Sequence, residues 1–145
     1  MRNGIIAGNV TSGTAILIQP QSTGPATVVI DNVHVENYSQ GISAYDYTNV
    51  TVRNSVSSRN AGGGIRAISS VGGPVSVFVE HSQTSHNGGN GVLAQGATAI
   101  VRISEVTITD NGLGVNYVSG GTVCSFGNSI AGNSATLPPT PCPLS

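Results

Sequence analysis

Residues 77–94, VFVEHSQTSHNGGNGVLA, hold an apolar alternation (Val77, Val79), a polar corner at His81, an asparagine turn at Asn87 and a glycine-led strand from Gly91. The same order of features recurs before and after this stretch. The pairs Val28/Ile30, Val50/Val52, Val77/Val79, Val101/Ile103 and Cys124/Phe126 advance by steps of 22, 27, 24 and 23 residues. A second register, Gly41-Ile42, Gly64-Ile65, Gly91-Val92 and Gly114-Val115, advances by 23, 27 and 23. Periods of this size mark a solenoid, in which no repeat can bury its apolar face alone and stacking does it.

Composition agrees. A chain of 145 residues with 8% charged and 38% hydrophobic residues is neutral and apolar enough to fold as one domain. Aromatic content of 4% and the lack of Trp rule out a wide core, whereas stacked Val, Ile and Ala fill a narrow one. Net charge is −1, Lys is missing, and Arg2, Arg53, Arg59, Arg66 and Arg102 are dispersed, so the basic footprint that nucleic acid requires is lacking. No apolar run reaches the roughly 18 to 20 residues of a membrane helix. The opening MRNGIIAGNVTSG lacks the apolar core of a secretory signal, so the chain is either cytosolic or a mature or excised piece, and the compartment stays open. Cys124 is either a small buried apolar residue of an inward column or the partner of Cys142, in which case a bond would pin the proline-rich tail to the last coil.

Met1-Arg2-Asn3-Gly4 aligns with Ile30-Asp31-Asn32-Val33, and Gly13 falls near the place of Gly41. Coils follow at 13–40, 41–62, 63–90, 91–113 and 114–135, with loops expected at 19–25 and 69–74, where Pro and Gly interrupt the strands. The domain is expected at 1–136 and a tail at 137–145, where prolines cannot continue a coil. With no capping segment ahead of the first coil, its strand edges are expected to recruit a second copy, giving a homo-oligomer, unless the sequence is an excerpt from a longer protein. Corners are expected near Asn32, Asn54, His81, Glu105 and Asn128, and Asn60, Asn87 and Asn111 in one column suit a ladder of side-chain amides. Sequons at Asn9, Asn37 and Asn49 are what chance supplies in a chain this rich in Asn and Thr.

The strands Gly41-Ile42-Ser43-Ala44, Gly64-Ile65-Arg66-Ala67 and Gly91-Val92-Leu93-Ala94, each preceded by an asparagine turn and a Val-x-Val strand, resemble the repeat of the pectate-lyase-like (pectin lyase fold) superfamily over about 13–135. The resemblance implies an all-β, right-handed, single-stranded parallel β-helix of about five to six coils; handedness rests on it alone. A left-handed hexapeptide helix lacks its six-residue period here. A calcium roll is excluded because Leu93 stands where the metal-binding Asp would be. That superfamily hosts lyases, hydrolases, epimerases, tailspikes and adhesins, so fold alone does not select an activity.

In the resembling enzymes the substrate groove lies along the outward face of the G-[IV]-x-A sheet. Here that face would offer Ser43, Arg66, Leu93 and Asn116, flanked by Tyr45-Asp46-Tyr47 and Tyr117. Ser43, Arg66, Asn116 and Tyr117 are the candidate binding residues for an acidic polysaccharide, because Arg pairs with a sugar carboxylate and Tyr stacks on a pyranose ring. Arg66, Asp46, Tyr45 and Tyr47 are the candidates for catalysis if the chain is a lyase or epimerase. Against that, Asp31, Glu36, Asp46, Glu80, Glu105 and Asp110 scatter over different columns, which suits neither a calcium cluster nor a pair of hydrolytic carboxyls. No cofactor is expected. The outward column Asp31, Arg53, Glu80, Ser104, Gly127 reads as a solvated ion-pair ladder, and His81/Glu105 and His86/Asp110 as corner residues with a weaker acid–base reading. The reading favoured from sequence is a noncatalytic, carbohydrate-associated or structural module; the alternatives are a small polysaccharide lyase or epimerase acting on acidic glycans, and a self-assembling shaft or fragment of a larger surface protein.

Overall fold

The computed structural model describes residues 1–9, 12–21 and 24–143. Ser22 and Thr23 of the 19–25 loop, Val10 and Thr11 of the Asn9 sequon, and Leu144 and Ser145 of the tail lie outside the described residues.

Each coil contributes one strand to a five-stranded parallel sheet, ordered β12 (Leu113–Val118), β10 (Asn90–Gln95), β7 (Gly63–Ile68), β4 (Gln40–Tyr45), β2 (Thr14–Ile18). The remaining strands form one bent nine-stranded parallel sheet: β1 (Arg2–Ala7), β3 (Ala26–Glu36), β5 (Thr48–Arg53), β6 (Val56–Ser58), β8 (Val75–Glu80), β9 (Gln83–Ser85), β11 (Ala99–Thr109), β13 (Thr122–Ala131) and β14 (Thr140–Pro141). The result is an all-β, right-handed parallel β-helix of about five turns. Parallel strands joined by crossovers favour that hand.

Register follows the sequence columns through most of the stack. Val28, Val50, Val77 and Val101 pair in succession, as do Ile30, Val52, Val79 and Ile103. Of these, all but Val28 are at most 1% exposed. Ile16, Ile42, Ile65, Val92 and Val115 form the opposing inward row. Small Ala44, Ala67 and Ala94 beside that row leave room for the Val and Ile of the other sheet, so a narrow core fills without aromatic residues.

Two expected positions are corrected. Beneath Val101 lies Val123, not Cys124, and beneath Ile103 lies Ser125, not Phe126. The register recovers only at Ser104 opposite Gly127, so Phe126 is the extra residue of a β-bulge and stands 49% exposed. Its apparent column came from a count that includes the bulge. At the other end Ile16 pairs with Ile42, so Ala15 occupies the place of Gly41, while Gly13 (φ +86°) sits two residues earlier.

Cys124 is bonded to Cys142, with Cα atoms 4.8 Å apart. The bond holds β14 against β13 with Cys124 opposite Thr140, and the Cys142 amide donates to the Ser125 carbonyl. The tail therefore docks on the last coil.

Corners repeat as columns of left-handed backbone. Asn3, Asn32, Asn54, His81 and Glu105 have φ between +46° and +55°, and the next corner stacks Asn37, Arg59, His86 and Asp110 at +53° to +61°. Asn tolerates this region best, and the other side chains pay a strain of about 1 kcal/mol each. Asn128 lacks a positive φ; Gly127 takes the distortion beside the bulge (φ +135°). Directly after the second corner, Asn60 Nδ2 donates to Asn87 Oδ1 (2.9 Å), Asn87 Nδ2 to Asn111 Oδ1 (2.8 Å) and Asn111 Nδ2 to Asn133 Oδ1 (3.0 Å). The expected ladder thus exists and runs one residue further.

Candidate functional site

The outward row of the five-stranded sheet runs Leu17, Ser43, Arg66, Leu93, Asn116, with each pair in register. The Arg66 side chain lies over Ser43, which is fully buried, and Arg66 Nε donates to Ser43 Oγ at 2.7 Å. Asn116 Nδ2 donates to Asn90 Oδ1 at 3.0 Å. Arg2 and Arg53 share Asp31 (3.7 and 3.1 Å) and Arg59 pairs with Glu36 (2.9 Å), but Arg66 meets no carboxylate among the described residues. One edge of its guanidinium is thus fixed by a neutral hydroxyl, and its other N–H groups remain for a ligand.

Tyr45, Asp46 and Tyr47 end this sheet and, with Gln19, Pro20, Gln21 and Val71, line a shallow cleft of about 240 Å³. Asp46 is 8% exposed and the 69–74 insertion folds around it. Its Oδ1 accepts from the amides of Val71 (3.1 Å) and Gly73 (2.9 Å), and its Oδ2 from the Ser70 amide (2.9 Å) and hydroxyl (2.6 Å). Burial raises its pKa, but the bonds from Ser70, Val71 and Gly73 outweigh this and hold it well below the usual carboxylate range. The expected Arg66–Asp46 constellation does not form, because the carboxylate turns into the loop while Arg66 turns along the sheet to Ser43. A side chain at Gly73 would strike the Tyr47 ring, so the insertion packs closely on that tyrosine as well.

Tyr117 also departs from expectation. It pairs with Ala94 and so belongs to the inward column of Ala44 and Ala67, not to the flank of the outward row. Above the last full coil there is space for a large ring, which packs on the core while its hydroxyl donates to the Pro138 carbonyl at 3.3 Å.

The exposed corner pairs exist, with His81–Glu105 at 3.0 Å and His86–Asp110 at 3.7 Å. Sequence reading missed a further cluster. His34 Nε2 lies 3.2 Å from Ser58 Oγ and 3.6 Å from Glu36 Oε2. The pairing of β3 with β6 creates it, and tabulating that short strand's columns would have found it. Hydroxyl and carboxylate face the same ring nitrogen, so no serine–histidine–acid relay is formed.

Among the described residues no group of three or more His, Cys, Asp or Glu side chains is placed to hold a metal ion. No helix there is long and apolar enough to cross a membrane. Comparison with known proteins finds no match among curated proteins and none among solved structures. The family described as right-handed beta helix region matches residues 14–136, the same coils whose rows are traced above, and the chain belongs to that family.

Proposed function

We propose that the chain is a noncatalytic β-helix module that binds an extended acidic glycan along the outward face of the five-stranded sheet, with Arg66 and Asn116 as the contacting polar side chains and the buried Ser43 holding Arg66 in place. The supporting observation is Arg66, an oriented guanidinium on the outward row with no carboxylate partner among the described residues. Its free edge matches a uronate carboxylate, and Tyr45 and Tyr47 at the end of the same sheet offer rings on which a pyranose stacks. Proton transfer by Asp46, as a lyase or epimerase reading requires, is disfavoured because its oxygens are already engaged. A glycan array tests the proposal: hexuronate oligosaccharides should bind, and Arg66→Ala should weaken them about tenfold, the scale of one charge-assisted bond. Absence of binding across the array removes the proposal.

A structural role by self-association is the second reading. Among the described residues β1 pairs only with β3 and β2 only with β4, and Met1 just ahead of β1, Ile5 on β1 and Leu17 on β2 are 60%, 75% and 54% exposed. Open edges beside exposed apolar side chains recruit other strands. Light scattering at micromolar concentration should give a dimer or larger species; a monodisperse monomer sinks this reading.

A further inference from the structure

We infer that the opposite side of the solenoid carries a second, separate subsite for a carboxylated sugar ring, formed by Phe78, Arg102 and Phe126 and walled by the disulfide-pinned tail at Pro143. These four residues line an open concavity of about 470 Å³ on the nine-stranded sheet. Phe78 and Arg102 are lateral neighbours on β8 and β11, and Cys124 follows them in the same outward row.

Three independent features build the subsite. The bulge in β13 re-aims Phe126, so that its ring reaches back across the Arg102 strand to meet Phe78 edge to face, with centroids 6.5 Å apart. An unbulged strand would not place an extra aromatic side chain here, and bulges commonly serve to redirect one residue. Arg102 Nη1 donates to Ser76 Oγ at 3.0 Å, and Arg102 has no carboxylate partner among the described residues. Finally, the Cys124–Cys142 bond fixes the tail that supplies Pro143.

The chemistry selects the occupant. A half-exposed ring offers a face for the C–H groups of a pyranose, and a tethered guanidinium beside it takes a planar carboxylate. The concavity is open, which suits one ring of a longer oligosaccharide better than an enclosed small molecule. The subsite does not depend on the Arg66 row, which lies on the other sheet.

Calorimetric titration with a galacturonate trimer, and with its fully methyl-esterified form, tests the inference. The parent should bind two trimers, and the ester should bind at least tenfold more weakly. Arg102→Ala and Phe126→Ala should each remove one of the two sites or weaken it about tenfold, while Phe126→Tyr retains it. Both residues are on the surface, and unchanged thermal unfolding would show that the variants are folded. Cys142→Ser, which frees the wall at Pro143, should weaken the same site. If Arg66→Ala alone removes all binding, this subsite is overturned and the proposed function stands; if Arg102→Ala alone does so, the reverse holds. Equal affinity for acid and ester, or no binding at all, overturns the subsite.

Discussion

Replacing Asn87 by Ala should lower unfolding free energy by about 4 kcal/mol, a fall in Tm of about 12 °C for a domain of this size. Asn87 is 2% exposed. Its Oδ1 accepts from the Asn60 amide (3.0 Å) and from Asn60 Nδ2 (2.9 Å), while its Nδ2 donates to Asn111 Oδ1 (2.8 Å) and the Ser57 carbonyl (3.2 Å). Truncation leaves the Asn60 amide and the Ser57 carbonyl buried without these partners, and each such loss costs about 1–3 kcal/mol. Asn87→Asp should recover little of this, because a carboxylate would replace the donor facing Asn111 Oδ1. Exposed Asn49, by contrast, should tolerate Ala within about 0.5 kcal/mol. Urea denaturation monitored by circular dichroism measures all three, and a loss below about 1 kcal/mol for Asn87→Ala would remove the ladder from any account of stability.

The second large effect is expected at Asp46. Asp46→Ala removes the acceptor for three backbone amides and two hydroxyls, so the 69–74 loop should open and stability should fall by about 3 kcal/mol. Hydrogen exchange should locate the change, with the Ser70, Val71 and Gly73 amides losing protection while the Asn ladder keeps it. The pH dependence has a definite sign. The folded pKa is depressed below the ordinary value of 3.8, so the stabilisation is complete above about pH 5 and fades as pH falls below that value. The difference between the parent and Asp46→Asn should accordingly be constant from pH 5 to 8 and shrink toward pH 3. A difference that grew on acidification would contradict the assigned direction.

These two residues differ in how far sequence could reveal them. Asn87 was legible because Asn60 and Asn111 stand at matching places in neighbouring repeats, and a stacked column of buried amides has one economical way to satisfy its hydrogen bonds. Asp46 stands out in the sequence only as an acid beside two tyrosines, which marks a candidate for proton transfer and not a loop anchor. Nothing in the local pattern says that an insertion 24 residues later will wrap its amides around that carboxylate.

Sequence by itself determined the solenoid, the inward rows through Ile103, the glycine-led sheet and the Ser43–Arg66–Leu93–Asn116 row. Strand alternation and coil period act through short-range geometry, and each repeat states them anew. Only the tertiary structure decided where that periodicity breaks. The bulge that turns Phe126 outward, the space that admits Tyr117 into the core, the loop around Asp46 and the closure of the Cys124–Cys142 bond all occur once in the chain. Such features arise from contacts between coils, loops and tail, which a repeating pattern cannot encode because no second instance exists from which to read them.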